Sequence, residues 1–267
     1  MNLTPVTDVA AVLVTVLFFL VGSILDIRTR EVDDYVWLAY GTLGAVLTAT
    51  RLLLDPSRLM LTAISAAIAF LIAMGLFYFG LTGGADAKAV ICLGFTLPLP
   101  PTSWQVLIGF VHPFFPVVVV MMGFICSGLL AVWFGVRNLA TYARLGSKMF
   151  QGLEHESKFR KVLAFVSGYP SRIANLKSKF YLYPIEEVTR AGPRRPAKRH
   201  FKFMVDVETD RDQLVSKFVE AARSSGVRGL VWVTPGLPML FFILIGLIIA
   251  LIVGDPIFTT ILRSALH

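Results

Sequence analysis

Long apolar runs separated by short charged stretches dominate the first half of the chain. The runs Val9–Leu25, Leu59–Ala85 and Ala89–Val136 carry no formal charge, and Tyr35–Leu54 is interrupted only by Arg51. An apolar run of about 17 residues or more predicts a membrane-crossing helix. Because Arg51 lies near a predicted helix end, its guanidinium group is expected to reach the membrane interface.

The run Ala89–Val136 is too long for one crossing. As a single helix it would extend about 70 Å, whereas the hydrocarbon core is about 30 Å thick. The prolines within residues 98–101 break it into a short helix, about Ala85–Leu97, and a longer one. With a last crossing inside Gly229–Gly254, the pattern predicts a membrane α-helical fold with six transmembrane helices.

Composition agrees with this class and separates a polar region from it. The chain is 56% hydrophobic and only 16% charged, which excludes an ordinary soluble domain and a disordered chain. Residues 138–228 hold 18 Lys/Arg and 9 Asp/Glu, a net charge of +9. We therefore expect a membrane domain over 1–137, a basic α/β insertion over 138–228, and the sixth helix with a tail over 229–267.

Several segments of the insertion have recognisable patterns. Phe180–Tyr183 and His200–Val207 alternate as strands do, and Arg211–Ser224 predicts a helix with Asp210 as a possible N-cap. Asn138–Lys179 is basic and partly amphipathic, which is typical of helices that lie on anionic headgroups. The basic charge comes with no nucleic-acid-binding motif, so no nucleic-acid partner is expected.

The distribution of Lys and Arg predicts the orientation. With both termini outside, the cytosolic segments hold 22 Lys/Arg and the outside segments hold 3. Positive residues are retained on the cytosolic side. The sequence thus predicts a multi-pass cell-membrane protein with its insertion in the cytosol.

Two aspartates fall at the cytosolic membrane face in this arrangement. Asp26 ends the first apolar run, and Asp86 begins the short fourth helix after Gly83 and Gly84. Ionisable groups at membrane depth are functional candidates. Two close carboxyls can act as a general base on water and a general acid on a carbonyl, and the glycines allow a substrate backbone to approach or positive φ angles.

Non-catalytic interpretations remain open for both aspartates. Asp86 could cap a helix N-terminus, and Asp26 could pair with Arg28 or Arg30 in a solvated loop. A transporter would use the two aspartates as a proton relay, and a membrane anchor would need neither. The two cysteines, Cys92 and Cys126, exclude a disulfide scaffold and a four-cysteine zinc module.

The sequence resembles the archaeal preflagellin and type IV prepilin-like peptidases, which are Gly-x-Gly-Asp membrane aspartyl proteases. The resemblance rests on Gly83-Gly84-Ala85-Asp86, on the loop Asp26–Asp33, on the six-span layout, and on Trp232–Pro235 before the last helix. It departs from the pattern at Ala85, where many members have glycine, and at Val32-Asp33, where many have Ile-Pro.

The resemblance implies an aspartic endopeptidase with Asp26 and Asp86 as its dyad and no metal or organic cofactor. Its substrates would be flagellin-like or pilin-like precursors with a short basic leader, cut at the cytosolic membrane border without methylation. Glu31, Asp33 and Asp34 would then form an acidic rim that holds the leader, or simply a solvated loop. The alternative enzyme is an intramembrane protease of the presenilin or signal-peptide-peptidase type.

Overall fold

The computed structural model describes residues 4–102, 105–107, 112–189, 198–203, 211–224, 229–236 and 238–265. Most of these residues are helical. The α-helices in these ranges are α1 Thr4–Thr29, α2 Asp34–Leu54, α3 Leu59–Tyr78, α4 Gly84–Thr96, α5 Phe115–Leu145, α6 Lys158–Ser167, α7 Ile173–Ser178, α8 Arg211–Ser224, α9 Met239–Ile252 and α10 Pro256–Ala265. The strands are β1 Tyr169–Arg172, β2 Leu182–Pro184, β3 Glu186–Thr189, β4 Lys198–Phe201 and β5 Leu230–Pro235.

The chain divides into two compact units. The first comprises residues 1–127 and 238–267, and the second comprises residues 128–237. The first unit holds α1 to α4, the start of α5, α9 and α10. The second holds the rest of α5 and all five strands.

Four described helices are long and apolar enough to cross a membrane. They are the helical segments Pro5–Thr29, Asp34–Leu54, Pro56–Tyr78 and Phe115–Phe150. Helix α4 has 13 residues and α9 has 14, about 20 Å each, so neither matches a core of about 30 Å alone. The structure therefore gives a multi-pass helical protein, while helix length by itself does not give six crossings.

The sixth predicted crossing is short because its first residues form a strand. β5 takes up Leu230–Pro235, and α9 begins only at Met239. Helix α3 is also shorter than the apolar run that predicts it. It ends at Tyr78 because Gly80 adopts φ +66°, and the N–H groups of Gly80 and Leu81 bond back to the last turn, as in a Schellman motif.

Helix α4 lies at the centre of the first unit, between α2 and α3. Eight of its 13 residues are buried, so this short helix is enclosed by protein. Small residues permit the close packing, as in other membrane bundles. A Cβ on Gly94 would lie 2.7 Å from the Ala69 Cβ, and the Thr48 hydroxyl donates to the Phe95 carbonyl at 2.7 Å across the α2–α4 contact.

A buried ion pair joins α1 to α2 at the end of α1 remote from Asp26. Arg51 lies 3.6 Å from the Asp8 carboxylate, and these side chains are only 13% and 4% exposed. The backbone N–H and hydroxyl of Thr102 also donate to Asp8, at 2.9 and 2.8 Å. Near this helix end Arg51 thus has a buried carboxylate partner, and whether it also reaches the membrane interface stays a prediction.

The second unit is built on two antiparallel sheets. One has the strand order β1-β5-β2, and the other pairs β3 with β4. Glu186 at the start of β3 accepts two 2.8 Å hydrogen bonds from the Arg199 guanidinium group and one from the Trp232 N–H. Burial raises the pKa of Glu186, and Arg199 and the Trp232 N–H act against that rise. This fully buried ion pair fixes the β3–β4 pair to β5.

Of the predictions for the insertion, one is confirmed, one is wrong, and others lie outside the described residues. Helix α8 covers Arg211–Ser224 as predicted, while Asp210 and residues 204–207 lie outside the described residues. The predicted surface helix over Asn138–Lys179 is wrong as one element. Helix α5 continues to Leu145, and Gly146, at φ +56°, ends this α-helix. Helix α6, strand β1 and helix α7 follow.

Glycines bring the backbones of α5 and α9 together in the first unit. A Cβ on Gly123 would lie 3.0 Å from the Ile243 Cα, and one on Gly246 would overlap the backbone of Val119 and Gly123. We expect Gly246→Ala to lower stability by about 1–3 kcal/mol, because backbone atoms cannot rotate away from the added methyl group. Thermal unfolding of the detergent-solubilised protein measures this effect.

The matched control is Gly128→Ala, also on α5. A Cβ at Gly128 meets nothing within 4 Å, so this variant should unfold at the wild-type temperature or slightly above it. Equal unfolding temperatures for the Gly246 and Gly128 variants would contradict the close approach of α5 and α9.

Candidate active site

Asp86 lies in the first turn of α4 and is bound by backbone donors. The Gly83 N–H donates to its Oδ2 atom at 2.9 Å, so the side chain folds back over the start of its own helix. The backbone N–H of Leu240, in the first turn of α9, also points to this carboxyl. The first N–H groups of a helix have no partner within the helix. At Asp86, such groups come from the N-termini of two helices, α4 and α9.

Asp26 lies in the last turn of α1, where the chain reverses. Arg30 follows the helix with φ +62°, a left-handed conformation that is rare for residues other than glycine. This turn brings the Arg30 guanidinium group to 3.9 Å from Asp26 Oδ1. The pairing foreseen in the non-catalytic interpretation of Asp26 is therefore present, with Arg30 as the partner.

The structure brings the two aspartates together. Asp26 and Arg30 are both close enough to Asp86 to interact with its charge, although Asp26 and Asp86 are 60 positions apart in the sequence. The Asp86 residue is 9% exposed. Two carboxyl groups that act on each other's charge repel when both are ionised.

Several buried polar atoms near the aspartates lack a hydrogen-bond partner among the described residues. They are Asp26 Oδ2, Ser23 Oγ one turn earlier on α1, and Thr82 Oγ1 just before Gly83. Ser23 and Thr82 are 2% and 7% exposed. Folded proteins rarely leave such groups unpaired, so these atoms mark a place for water or for the polar backbone of a bound peptide. The sequence pattern alone did not single out Ser23 or Thr82.

The paired glycines do not adopt the positive φ angles that the sequence allows them. Gly83 has φ −76°, and neither Gly83 nor Gly84 is among the residues with positive φ. A Cβ on Gly83 would meet Asp86 Oδ2 at 3.4 Å, and one on Gly84 would meet Phe77 at 3.8 Å. Neither glycine therefore needs a positive φ angle, and a methyl group at either position would make an ordinary van der Waals contact.

The three acidic residues of the predicted rim have different surroundings. Asp33 caps α2 by accepting the Tyr35 N–H at 3.2 Å, and Asp34 accepts a 2.5 Å hydrogen bond from Lys88. Glu31 is exposed. Two of the three carboxylates thus have structural partners, which leaves Glu31 best placed to meet a basic peptide.

The fold and this site together define a multi-pass membrane protein with two neighbouring carboxyl groups at one end of its helices. Two sequence models of known families match the chain. The Type IV leader peptidase family matches residues 13–136, which include both aspartates. The Archaeal Peptidase A24 C-terminus Type II family matches residues 160–256. The two matches lie one after the other along most of the chain, and both are to peptidase families, which supports a protease as the class of this protein.

Two relatives are similar over nearly their whole length. A preflagellin peptidase of Methanococcus voltae is 28% identical over 253 residues, which cover 91% of this chain and 94% of that protein. A preflagellin peptidase of Methanocaldococcus jannaschii is 25% identical over 246 residues, covering 89% and 91%. The similarity therefore includes the helices that carry both aspartates as well as the second unit.

The Gly83 N–H can be removed without changing the backbone path. Proline fits φ −76° but has no N–H, so Gly83→Pro deletes the donor to Asp86. Hydrogen bonds to charged groups contribute about 1.5–3 kcal/mol. We expect leader cleavage to slow by about tenfold to a hundredfold, measured as the initial rate on a leader-bearing precursor. Gly83→Ala keeps the N–H and should stay near wild type; equal rates for both variants would contradict a role for this donor.

Proposed function

We propose that this peptidase is an aspartic-type endopeptidase that removes the short basic leader from archaeal preflagellin or prepilin-like precursors. The observation that carries the proposal is the meeting of Asp26 and Asp86 beside buried polar atoms that no described residue satisfies. The relatives named preflagellin peptidase support the substrate class.

The two carboxyls would divide acid and base roles. The ionised carboxyl accepts a proton from water while the water oxygen attacks the scissile carbonyl carbon. The protonated carboxyl donates its proton to the carbonyl oxygen. When the tetrahedral intermediate collapses, the C–N bond breaks and the carboxyl that accepted the proton from water donates it to the leaving amine. The other carboxylate takes a proton back from a hydroxyl of the intermediate, which gives a free acid and a free amine and restores the dyad.

Arg30 is proposed to hold Asp26 in position. Its backbone N–H donates to the Asp26 carbonyl at 3.1 Å, and its guanidinium group lies 3.9 Å from the carboxyl. Helix N-termini at Asp86 and a cation at Asp26 both supply positive potential. Such a setting limits the repulsion between the two carboxyls when the pair carries one negative charge.

The membrane arrangement is also proposed. Helices α4 and α9 would complete six crossings together with the four long helices. Both termini would lie outside, and the aspartates and the insertion would face the cytosol. In this arrangement Asp86 would lie below the surface of the bilayer, and the short α4 would leave it within reach of water.

The basic insertion is proposed to meet anionic lipid headgroups. Helix α6 exposes Phe159 and Val162, which are 75% and 61% exposed and lie one turn apart. Lys158 and Lys161 stand beside them. Apolar side chains flanked by lysines are typical of helices that rest at a membrane interface.

Removing either ionisable group should stop the reaction. Asp26→Asn and Asp86→Asn keep the side-chain shape but can neither accept nor donate the catalytic proton. We expect each to lower cleavage of a coexpressed precursor by at least about a hundredfold. Precursor size on a gel and the mass of the new N-terminus measure the outcome.

Asp212→Asn is the matched control, because Asp212 is 81% exposed on α8. It should cleave like wild type. Membrane levels of all variants are compared so that loss of folding is not mistaken for loss of chemistry. Wild-type cleavage by both the Asp26 and Asp86 variants would overturn the dyad.

Leader recognition gives a separate expectation at Glu31. Glu31→Lys should slow processing of strongly basic leaders by about two- to fivefold, since an exposed charge pair contributes about 0.2–1 kcal/mol. The difference should shrink as salt is raised. A leader with its Lys and Arg changed to Gln serves as the control substrate. Rates that stay equal across the salt series would remove Glu31 from leader binding.

A further inference from the structure

Two histidines and a glutamate from distant parts of the sequence meet in the second unit. His155 and Glu156 lie in the turn before α6, and His200 lies on β4. Their ligand atoms all lie within 4.8 Å of one another. The residues are separated by 45 positions, so no motif spacing in the sequence indicates the cluster.

The distances match the spacing of ligands around a small cation. His155 Nε2 is 3.3 Å from His200 Nδ1, and His200 Nδ1 is 3.2 Å from Glu156 Oε1. Ligands bound tetrahedrally at about 2.0–2.1 Å lie about 3.3 Å apart. Two of the ligand-to-ligand distances therefore already match those around a bound metal ion.

The glutamate is held by further contacts. Its side chain is 4% exposed, the Phe201 N–H donates to Oε1 at 3.1 Å, and Arg160 donates to Oε2 at 3.3 Å. Although burial acts in the opposite direction, these donors and His200 lower the pKa of Glu156. The carboxylate is thus oriented by neighbouring donors, as ligating carboxylates usually are.

We propose that His155, Glu156 and His200 bind one divalent transition-metal ion of the zinc class. Two imidazole nitrogens and one carboxylate oxygen form a ligand set that zinc accepts. The fourth position would take a water molecule, as in other zinc sites with three protein ligands. The ion would join the turn before α6 to the β3–β4 pair within the second unit, whereas the aspartates lie in the first.

This site lies beyond what the family resemblance implies, which is a peptidase without a metal. It also does not depend on the proposed function, because metal binding can be measured without any substrate. A proton shared between the two imidazoles would produce a similar geometry without a metal. The experiment below distinguishes these two cases.

The test uses the full chain in detergent, without a polyhistidine tag, after chelator treatment. Zn²⁺ alone is added in competition with a chromophoric chelator, and bound metal is counted by mass spectrometry after gel filtration. We expect about one zinc per chain and a higher unfolding temperature at pH 7.5. Both should be lost near pH 5, where imidazole is protonated. Co²⁺ in the site should give the visible absorption of a tetrahedral complex.

Two variants keep the test decisive. His155 is exposed, so His155→Ala cannot unfold a core, and Glu156→Gln keeps an acceptor for the Phe201 N–H. Each should weaken zinc binding by at least about tenfold, because even loss of a group that only supports a ligand costs that much. The proposal is overturned if wild type binds no zinc, or if both variants bind it as wild type does.

Matched controls exclude adventitious binding. Glu187 lies directly across from His200 and pairs with Lys202 at 3.6 Å, so Glu187→Gln removes a nearby charge but no ligand. His112 accepts the Phe114 N–H at 3.2 Å in the first unit. Glu187→Gln and His112→Ala should keep wild-type zinc affinity; an equal loss in these variants would contradict the assignment.

Discussion

The first unit depends on one constraint, which is that other helices must enclose the short helix α4. A helix of 13 residues cannot satisfy both of its ends in lipid, so α2 and α3 must surround it. Small residues make this possible, and Gly94 can lie against Ala69 only because it lacks a side chain. Once α4 is enclosed, its N-terminus and Asp86 are buried within the first unit, close to Asp26.

Polar groups at the two ends of α1 differ in whether their hydrogen-bond partners are supplied by the protein. The Asp8 carboxylate pairs with Arg51 and accepts two hydrogen bonds from Thr102, so its contacts stabilise the fold at that end. At the other end, Asp26 keeps a buried oxygen with no hydrogen-bond partner in the described part of the chain. Unpaired buried groups destabilise a protein, and the proposed peptidase reaction, which would bind water and a peptide there, gives a reason to keep them.

The second unit depends on buried charges in a different way. The Glu186–Arg199 pair lies inside it, and Arg199 also donates to the carbonyls of Gln151 and Leu230. Removing one partner of such a pair usually costs about 3–5 kcal/mol, because the other charge stays buried. The same guanidinium group orders the turn region and β4, which carry His155 and His200.

The sequence by itself determined the membrane class, the separate basic region, the short helix that begins near Asp86, and Asp26 and Asp86 as site candidates, because apolar runs, charge counts and helix breakers act locally. Only the tertiary structure decided that Arg51 pairs with Asp8, that Gly80 ends α3, that Arg30 turns back to Asp26, and that His155 meets His200. Those contacts join residues far apart in the chain or depend on one backbone angle. The physical reason is that partners for buried polar groups are set by packing in three dimensions, which no pattern along the chain records.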